Sequence, residues 1–240
     1  MSTHYLIDHN YFADKEKIQG EFGHLLAFNP GSVDADLTLT LYFEDKEPQS
    51  FQQKAPACKS TESNYGGWPI QPNIRFALKV ESTQPIACQS TVGWNVTLND
   101  YSPKAITKSP LGLRETAKSY MAITNLKTDW YVPDGIVIDM PDSIYVRESE
   151  WAFLLNPGDI SAKVNISLFY DHIEERTVVV QPRRLLAIYM DEIAIRNKHY
   201  GARFHSDQPI AAQWMRTIGW YHTDELMGYW TVPCVAGPLG

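Results

Sequence analysis

The chain has 240 residues, a formal net charge of −7 and 44% hydrophobic residues. That length holds one large domain or two of about 100–120 residues, and either can bury a real core. The acidic balance argues against general nucleic-acid or anionic-surface binding, which draws on a basic face.

The opening "MSTHYLIDHNYF" (1–12) has no basic segment ahead of an apolar stretch, so no signal peptide and a cytoplasmic location are expected. No apolar run approaches the roughly 20 residues of a membrane-spanning helix. Strict alternation then takes over. Leu37, Leu39, Leu41 and Phe43 share one face, with Thr38, Thr40 and Tyr42 on the other, as in a half-buried strand. "AFNPG" (27–31) precedes it. Pro30 fixes φ, Gly31 accepts the positive φ of a type II turn, and Asn29 can bond the backbone just ahead.

Further strand-like runs are 75–80, 85–94, 176–181, 184–190, 201–206 and 209–220. "LRETAKSYMA" (113–122) reads as the one helix. "NYGGWPIQP" (64–72) and the Pro-, Ser- and Lys-rich 99–115 read as loops. Cys58, Cys88 and Cys234 form neither an even disulfide framework nor a CxxC or CxxH zinc spacing, which fits reduced thiols. The fold class expected is mainly β, in antiparallel sandwich-like domains.

The turn and its strand recur. "LLNPGDISAKVNISLFY" (154–170) places Val164, Ile166, Leu168 and Tyr170 on one face, and "ESTQPIACQSTVGW" (81–94) returns as "HSDQPIAAQWMRTIGW" (205–220). An ordered series of matches implies an internal duplication: a first β-sandwich domain at 1–121, a linker at 122–129 and a second domain at 130–240.

The second copy resembles the sensory rhodopsin transducer family in five stretches: "WYVPDGIVI", the NPG hairpin, "QPRRLLAIYM", "SDQPIAAQ" with Arg216 following, and "ELMGYWTVP". The first copy keeps "FNPGSVDADLTLTLYFEDKEP", "PACKST" and "STQPIACQ". The resemblance implies a prokaryotic β-sandwich that binds a small molecule, a sugar being the expected ligand. It also implies a homo-oligomer, here a dimer of duplicated chains forming a pseudo-four-fold ring. Family founders couple to a membrane photoreceptor.

The densest polar-aromatic stretch is "QWMRTIGWYHTDE" (213–225). Sugar sites combine flat aromatic faces with fixed donors and acceptors. Gln213, Trp214, Arg216, Trp220, His222 and Asp224 fit that inventory; a regular strand puts all but Gln213 on one face. Copy one keeps Gln89 and Trp94 but places Ser90 near Arg216's position, Val96 at His222 and Leu98 at Asp224. Equally, the Trp residues can be core or interface anchors and Arg216 can pair with a carboxylate.

Arg183 and Arg184 can capture an anion or form salt bridges. His205, His222 and Asp224 would make a metal site only if brought together, so no metal and no cofactor are expected. No GxSxG, GxGxxG or P-loop motif is present. Three functions stay open: a sugar-binding sensor or accessory subunit without a catalytic signature, a carbohydrate-active enzyme using His222 with Asp224 or Glu225, and an oligomeric assembly module.

Overall fold

Alternating residues make nearly every described segment a strand, because a period of two turns one side of each strand inward. The computed structural model describes residues 1–11, 13–14, 19–70, 74–95, 115–139, 147–219 and 226–236. The first half runs β1 (Ser2–Tyr11), β2 (Ala13–Asp14), β3 (Gln19–Asn29), β4 (Ala35–Tyr42), β5 (Gln49–Ala55), β6 (Lys59–Asn64), β7 (Ile74–Ser82), β8 (Ala87–Asn95) and β9 (Glu115–Met121). The second half runs β10 (Lys127–Ile136), β11 (Ile138–Asp139), β12 (Arg147–Asn156), β13 (Ala162–Phe169), β14 (Ile173–Val180), β15 (Arg184–Tyr189), β16 (His199–Gly219), β17 (Leu226–Pro233) and β18 (Val235–Ala236).

Among the described residues all strand pairings are antiparallel. In the first half β1-β7-β4-β5 form one sheet, and β2-β3-β8-β9, with β6 on β3, form the other. Leu25, Leu37, Leu39, Leu41, Phe76 and Leu78 fill the space between them, each at most 1% exposed. Burial of this kind contributes roughly 1.5–3 kcal/mol per large apolar side chain. In the second half β10-β16-β13-β14 and β11-β12-β16-β17, with β15 on β12, repeat these partnerships. One 21-residue strand, β16, takes the places of both β7 and β8.

Register agrees as well as order. Tyr42 faces Ala77 as Phe169 faces Gly201, and Leu26 faces Gln89 as Phe153 faces Gln213. The register shift between Leu6 and His9 recurs between Val132 and Gly135. Each NPG turn is tied by its buried Asn. Asn29 Nδ2 donates to the carbonyls of Val33 and Ala55, both at 2.9 Å, and Asn156 Nδ2 to those of Ile160 and Val180 at 2.8 and 3.1 Å. Gly31 and Gly158 donate back to the Asn Oδ1, each at 3.0 Å.

The halves pack together along one outer sheet face of the first. Tyr5, Ile7, Tyr42 and Ala77 are buried into the second core. Arg75 stands 4.6 Å over the Trp151 ring, and the Ile7 N–H donates to Gln213 Oε1 at 3.1 Å.

Two expectations change. Glu115–Met121 is strand, not helix: its Ala, Lys and Met suit a helix, but pairing with β8 overrides propensity. Within 122–129, Ile123 bridges Tyr5 and Lys127 already begins β10. The loop at 64–72 holds a 3-10 turn, Tyr65–Gly67, capped by Asn64; 99–114 lies outside the described residues. All three cysteines are free. Among the described residues no helix is long and apolar enough to cross a membrane.

Candidate functional site

Arg216 on β16 lies directly across from Glu150 on β12, and both are buried. Arg216 Nε donates to Glu150 Oε1 at 2.8 Å, and its Nη2 donates to the Asp134 main-chain oxygen at 2.9 Å. Glu150 is fully buried; its Oε1 also accepts the Ile136 N–H at 2.8 Å, and its Oε2 accepts the Tyr200 hydroxyl. Burial pushes the Glu150 carboxyl up, against the Ile136 N–H, Tyr200 and Arg216, which hold it down. Burial, with the Glu150 charge added, likewise pushes the Tyr200 phenol up. Asp191 braces the pair from behind, accepting the Glu150 N–H at 3.0 Å and Ser149 Oγ at 2.8 Å.

The same ladder in the first half lacks this cluster. Gly23 faces Val92 where Glu150 faces Arg216, and Phe76 stands where Tyr200 stands. Tyr65 fills the vacated space: a Cβ on Gly23 would lie 1.9 Å from its ring, and its hydroxyl meets Ser90 Oγ at 2.9 Å. This register corrects the expected alignment. Ser90 corresponds to Trp214, Val92 to Arg216, and Trp94 to Ile218, because β16 runs against β12 without a shift through Gly219.

Tyr200 of this cluster, and Asp134 held by Arg216, line an open groove of about 460 Å³. Its walls are residues 133–134 of β10, 169–171 at the end of β13, and 198–201 where β16 begins. Tyr200 packs so closely on β10 that a Cβ at Gly135 would lie 2.4 Å from its ring. Tyr170 lies 5.8 Å from the Tyr200 ring and accepts the Ile195 N–H at 2.7 Å. Asp134, anchored from below by Arg216, meets His199 Nδ1 at 3.3 Å. Asp171 holds His172 at 2.7 Å, and this bond, with a second to Glu174, raises the imidazole's pKa. The groove thus presents the rings of Phe169, Tyr170 and Tyr200, the carboxylates of Asp134 and Asp171, Lys198 and the His199 imidazole to one small volume.

The sequence-selected residues are distributed as follows. Gln213 is buried and faces the first half through Ile7. Trp214 is core, 4.8 Å from the Arg216 guanidinium. Arg216 is buried in its ion pair and reaches the groove only through Asp134. Gln89 is half-buried opposite Leu26, and Trp94 lies in β8 opposite Glu21. Trp220, His222, Asp224 and Glu225 lie outside the described residues. His205 sits against Asp129 at 3.1 Å, beside Arg203. Among the described residues no group of three or more His, Cys, Asp or Glu can hold a metal ion. Sequence reading missed Glu150, Tyr200, Asp134, Tyr170 and His199. Glu150 heads the apolar run "WAFLLN", next to Glu148 and Ser149, so its burial left little local signal.

Fold and groove define an antiparallel β-sandwich protein. Residues 126–227 match the family model described as Anabaena sensory rhodopsin transducer. Among solved structures, Thermotoga maritima 1070 is similar at 24% identity and a TM-score of 0.40, over 48% of this chain and 97% of that one. The Anabaena sensory rhodopsin transducer is similar at 22% identity and a TM-score of 0.34, over 43% of this chain and 92% of that one. No curated protein matches the chain.

Proposed function

We propose that this protein is a non-catalytic binding protein, a sensor or accessory subunit, that takes a sugar or related polyhydroxylated metabolite in the groove of its second half. The observation that carries the reading is the Glu150–Arg216–Tyr200 cluster. Buried ion pairs are weak stabilisers relative to apolar packing, and the same ladder stands in the first half with Gly23, Val92 and Phe76 instead. What the cluster adds is a fixed Asp134 and a fixed Tyr200 beneath the groove. Tyr170 offers a ring for sugar C–H faces; Asp134, Asp171 and Lys198 offer partners for hydroxyls. Trp220, His222 and Asp224 remain proposed ligand contacts on the chain that leaves β16. The domains proposed are 1–121 and 130–240, copies of one duplicated unit, and the protein is proposed to be a homo-oligomer.

Thermal-shift measurement against glucose, galactose, xylose and N-acetylglucosamine tests the reading, since a ligand of the native state raises apparent stability. At least one is expected to stabilise the protein, and Tyr170→Ala to abolish the shift. No shift with any, or a shift unchanged in Tyr170→Ala, refutes the site.

A further inference from the structure

The rim of the contact between the halves holds polar groups that the packing does not use. Ala77 on β7 lies opposite Tyr42 on β4, and Lys79, two residues on, lies opposite Tyr5 on β1. Residues two apart on a strand share a face, so Tyr5 and Tyr42 flank the small Ala77 side chain from the two neighbouring strands. Tyr5 is 8% and Tyr42 5% exposed, and both belong to the core of the second half. Neither hydroxyl has a hydrogen-bond partner among the described residues, and neither is sealed from solvent.

The second half adds a cation at this rim. The Leu185 N–H donates to the Phe43 carbonyl at 3.0 Å, and Arg184 pairs with Glu47, which brings the turn ahead of β15 against the end of β4. Arg183 stands in that turn at φ 55°, which few residues with a side chain adopt, and its N–H donates to the Gly158 carbonyl at 2.9 Å. Its side chain is exposed, and its guanidinium has no ion-pair or hydrogen-bond partner among the described residues. Burial, with Tyr5, Glu81 and Asp159 adding to it, pushes the Tyr42 phenol up to about 12, and Arg183 is near enough to oppose the rise. Burial and Glu81 push Tyr5 up as well, so both phenols are neutral donors near pH 7.

The fold itself does not call for these groups. The matching turn of the first half carries Cys58, also at φ 55° and also donating its N–H to a glycine carbonyl, that of Gly31, at 2.9 Å. Phe169 faces Gly201 where Tyr42 faces Ala77, so the other copy of that position lacks the hydroxyl.

From this geometry we propose a second binding site, at the seam of the halves, in which Arg183 and the Tyr5 and Tyr42 hydroxyls hold a small carboxylate anion. All three groups are donors, and a carboxylate offers two oxygens with lone pairs enough for them. The surrounding charges select a single negative charge. Glu81 holds Lys79 at 2.8 Å and Glu47 holds Arg184, so of these three cations Arg183 alone is uncommitted. A dianion such as phosphate meets Glu81 and Asp159 with only that guanidinium to offset them. A bound carboxylate is held by residues of both halves and ties them together. The site shares no residue with the groove and does not rest on the sugar reading.

Acetate is the probe, with chloride at matched ionic strength as the reference. In protein carrying carbon-13 at the tyrosine Cζ, two of the 13 tyrosine signals are expected to move and saturate as acetate is added. They are the signals missing from Tyr5→Phe and from Tyr42→Phe, substitutions that keep the rings and the packing. Arg183→Asn suits a positive φ and removes the charge. It is expected to weaken acetate binding about tenfold or more, as loss of a charge-assisted hydrogen bond does. Lys163→Ala, which removes an exposed cation elsewhere on the second half, is expected to leave the titration unchanged. Phosphate and sulfate are expected to leave both signals in place. No saturating movement with acetate, the same movement with all three anions or with phosphate alone, or equal effects of Arg183→Asn and Lys163→Ala each overturns the proposal. A sugar result of either sign in the groove leaves this outcome untouched.

Discussion

Replacing Arg216 by Ala removes the guanidinium that neutralises Glu150 and leaves a carboxylate with no exposed surface. Breaking a buried pair from one side costs about 3–5 kcal/mol, because the surviving charge stays desolvated. The Ile136 N–H and Tyr200 hydroxyl remain bonded to Glu150 and place the expected loss near the lower figure. The loss must depend on pH. Glu150 already titrates above the ordinary glutamate range because of burial, and Arg216 is one of the groups opposing that rise. Without Arg216 the folded-state value climbs further above the unfolded one. Across that window the folded protein binds more protons than the unfolded chain, so its stability falls as pH rises. Each unit of added elevation corresponds to about 1.4 kcal/mol. Urea unfolding at about pH 8 and about pH 5, compared with wild type, reads the difference. The variant is expected to lose on the order of 1 M in midpoint at the higher pH and to recover part of it at the lower. A loss below about 1 kcal/mol, or one equal at both pH values, refutes the assignment of Arg216 as the counter-ion of a buried Glu150.

Asn156→Ala removes an amide whose two N–H protons are shared among three carbonyls, at 2.8, 3.1 and 3.3 Å, and the acceptor for Gly158. At about 1 kcal/mol per hydrogen bond, a loss of roughly 2–3 kcal/mol is expected in urea unfolding; a loss under about 0.5 kcal/mol would show the turn holds itself. Thiol titration with an aromatic disulfide is expected to find Cys58 reactive in native protein, and Cys88 and Cys234 only after unfolding. Cys58 is exposed, whereas burial pushes Cys88 up to about 12 and Cys234 higher still. Two fast thiols in native protein would contradict that burial.

Strand identity was legible because alternation survives locally: Leu37, Leu39 and Leu41 point inward for the same reason as Val164, Ile166 and Leu168. The NPG hairpins were legible through Asn29 and Asn156, which tie the segment, but their expected type II geometry was not borne out: neither Gly31 nor Gly158 takes up the positive φ that such a turn needs. Long-range pairing was not. β9 reads as a helix until β8 is beside it. The two extra residues between "QPIAAQ" and Trp220 suggested that Arg216 replaces Ser90. They do not lie within the paired segment, so Val92 is the true counterpart. The groove was least legible, since Asp134, Tyr170 and His199 come from three separate strand ends that meet only in the folded sheet.

Comparing the two ladders isolates what the polar cluster does. Both halves place a buried residue at the start of a 3-10 turn after the strand that follows the second hairpin, Tyr65 in one and Met190 in the other. Tyr65 reaches over Gly23 and closes the layer with an aromatic ring. Met190 has no such ring, and Glu150 carries a side chain into the corresponding space, where Arg216 and Tyr200 must satisfy it. An apolar solution is therefore available to this ladder within the same chain, and it leaves no unpaired charge to compensate. The second half holds instead an arrangement that ties β10, β12 and β16 to one carboxylate. Of the three strands it ties, two reach the groove, through Asp134 and Tyr200. Stability alone favours the Tyr65 solution; a requirement to hold a groove wall in place favours the other.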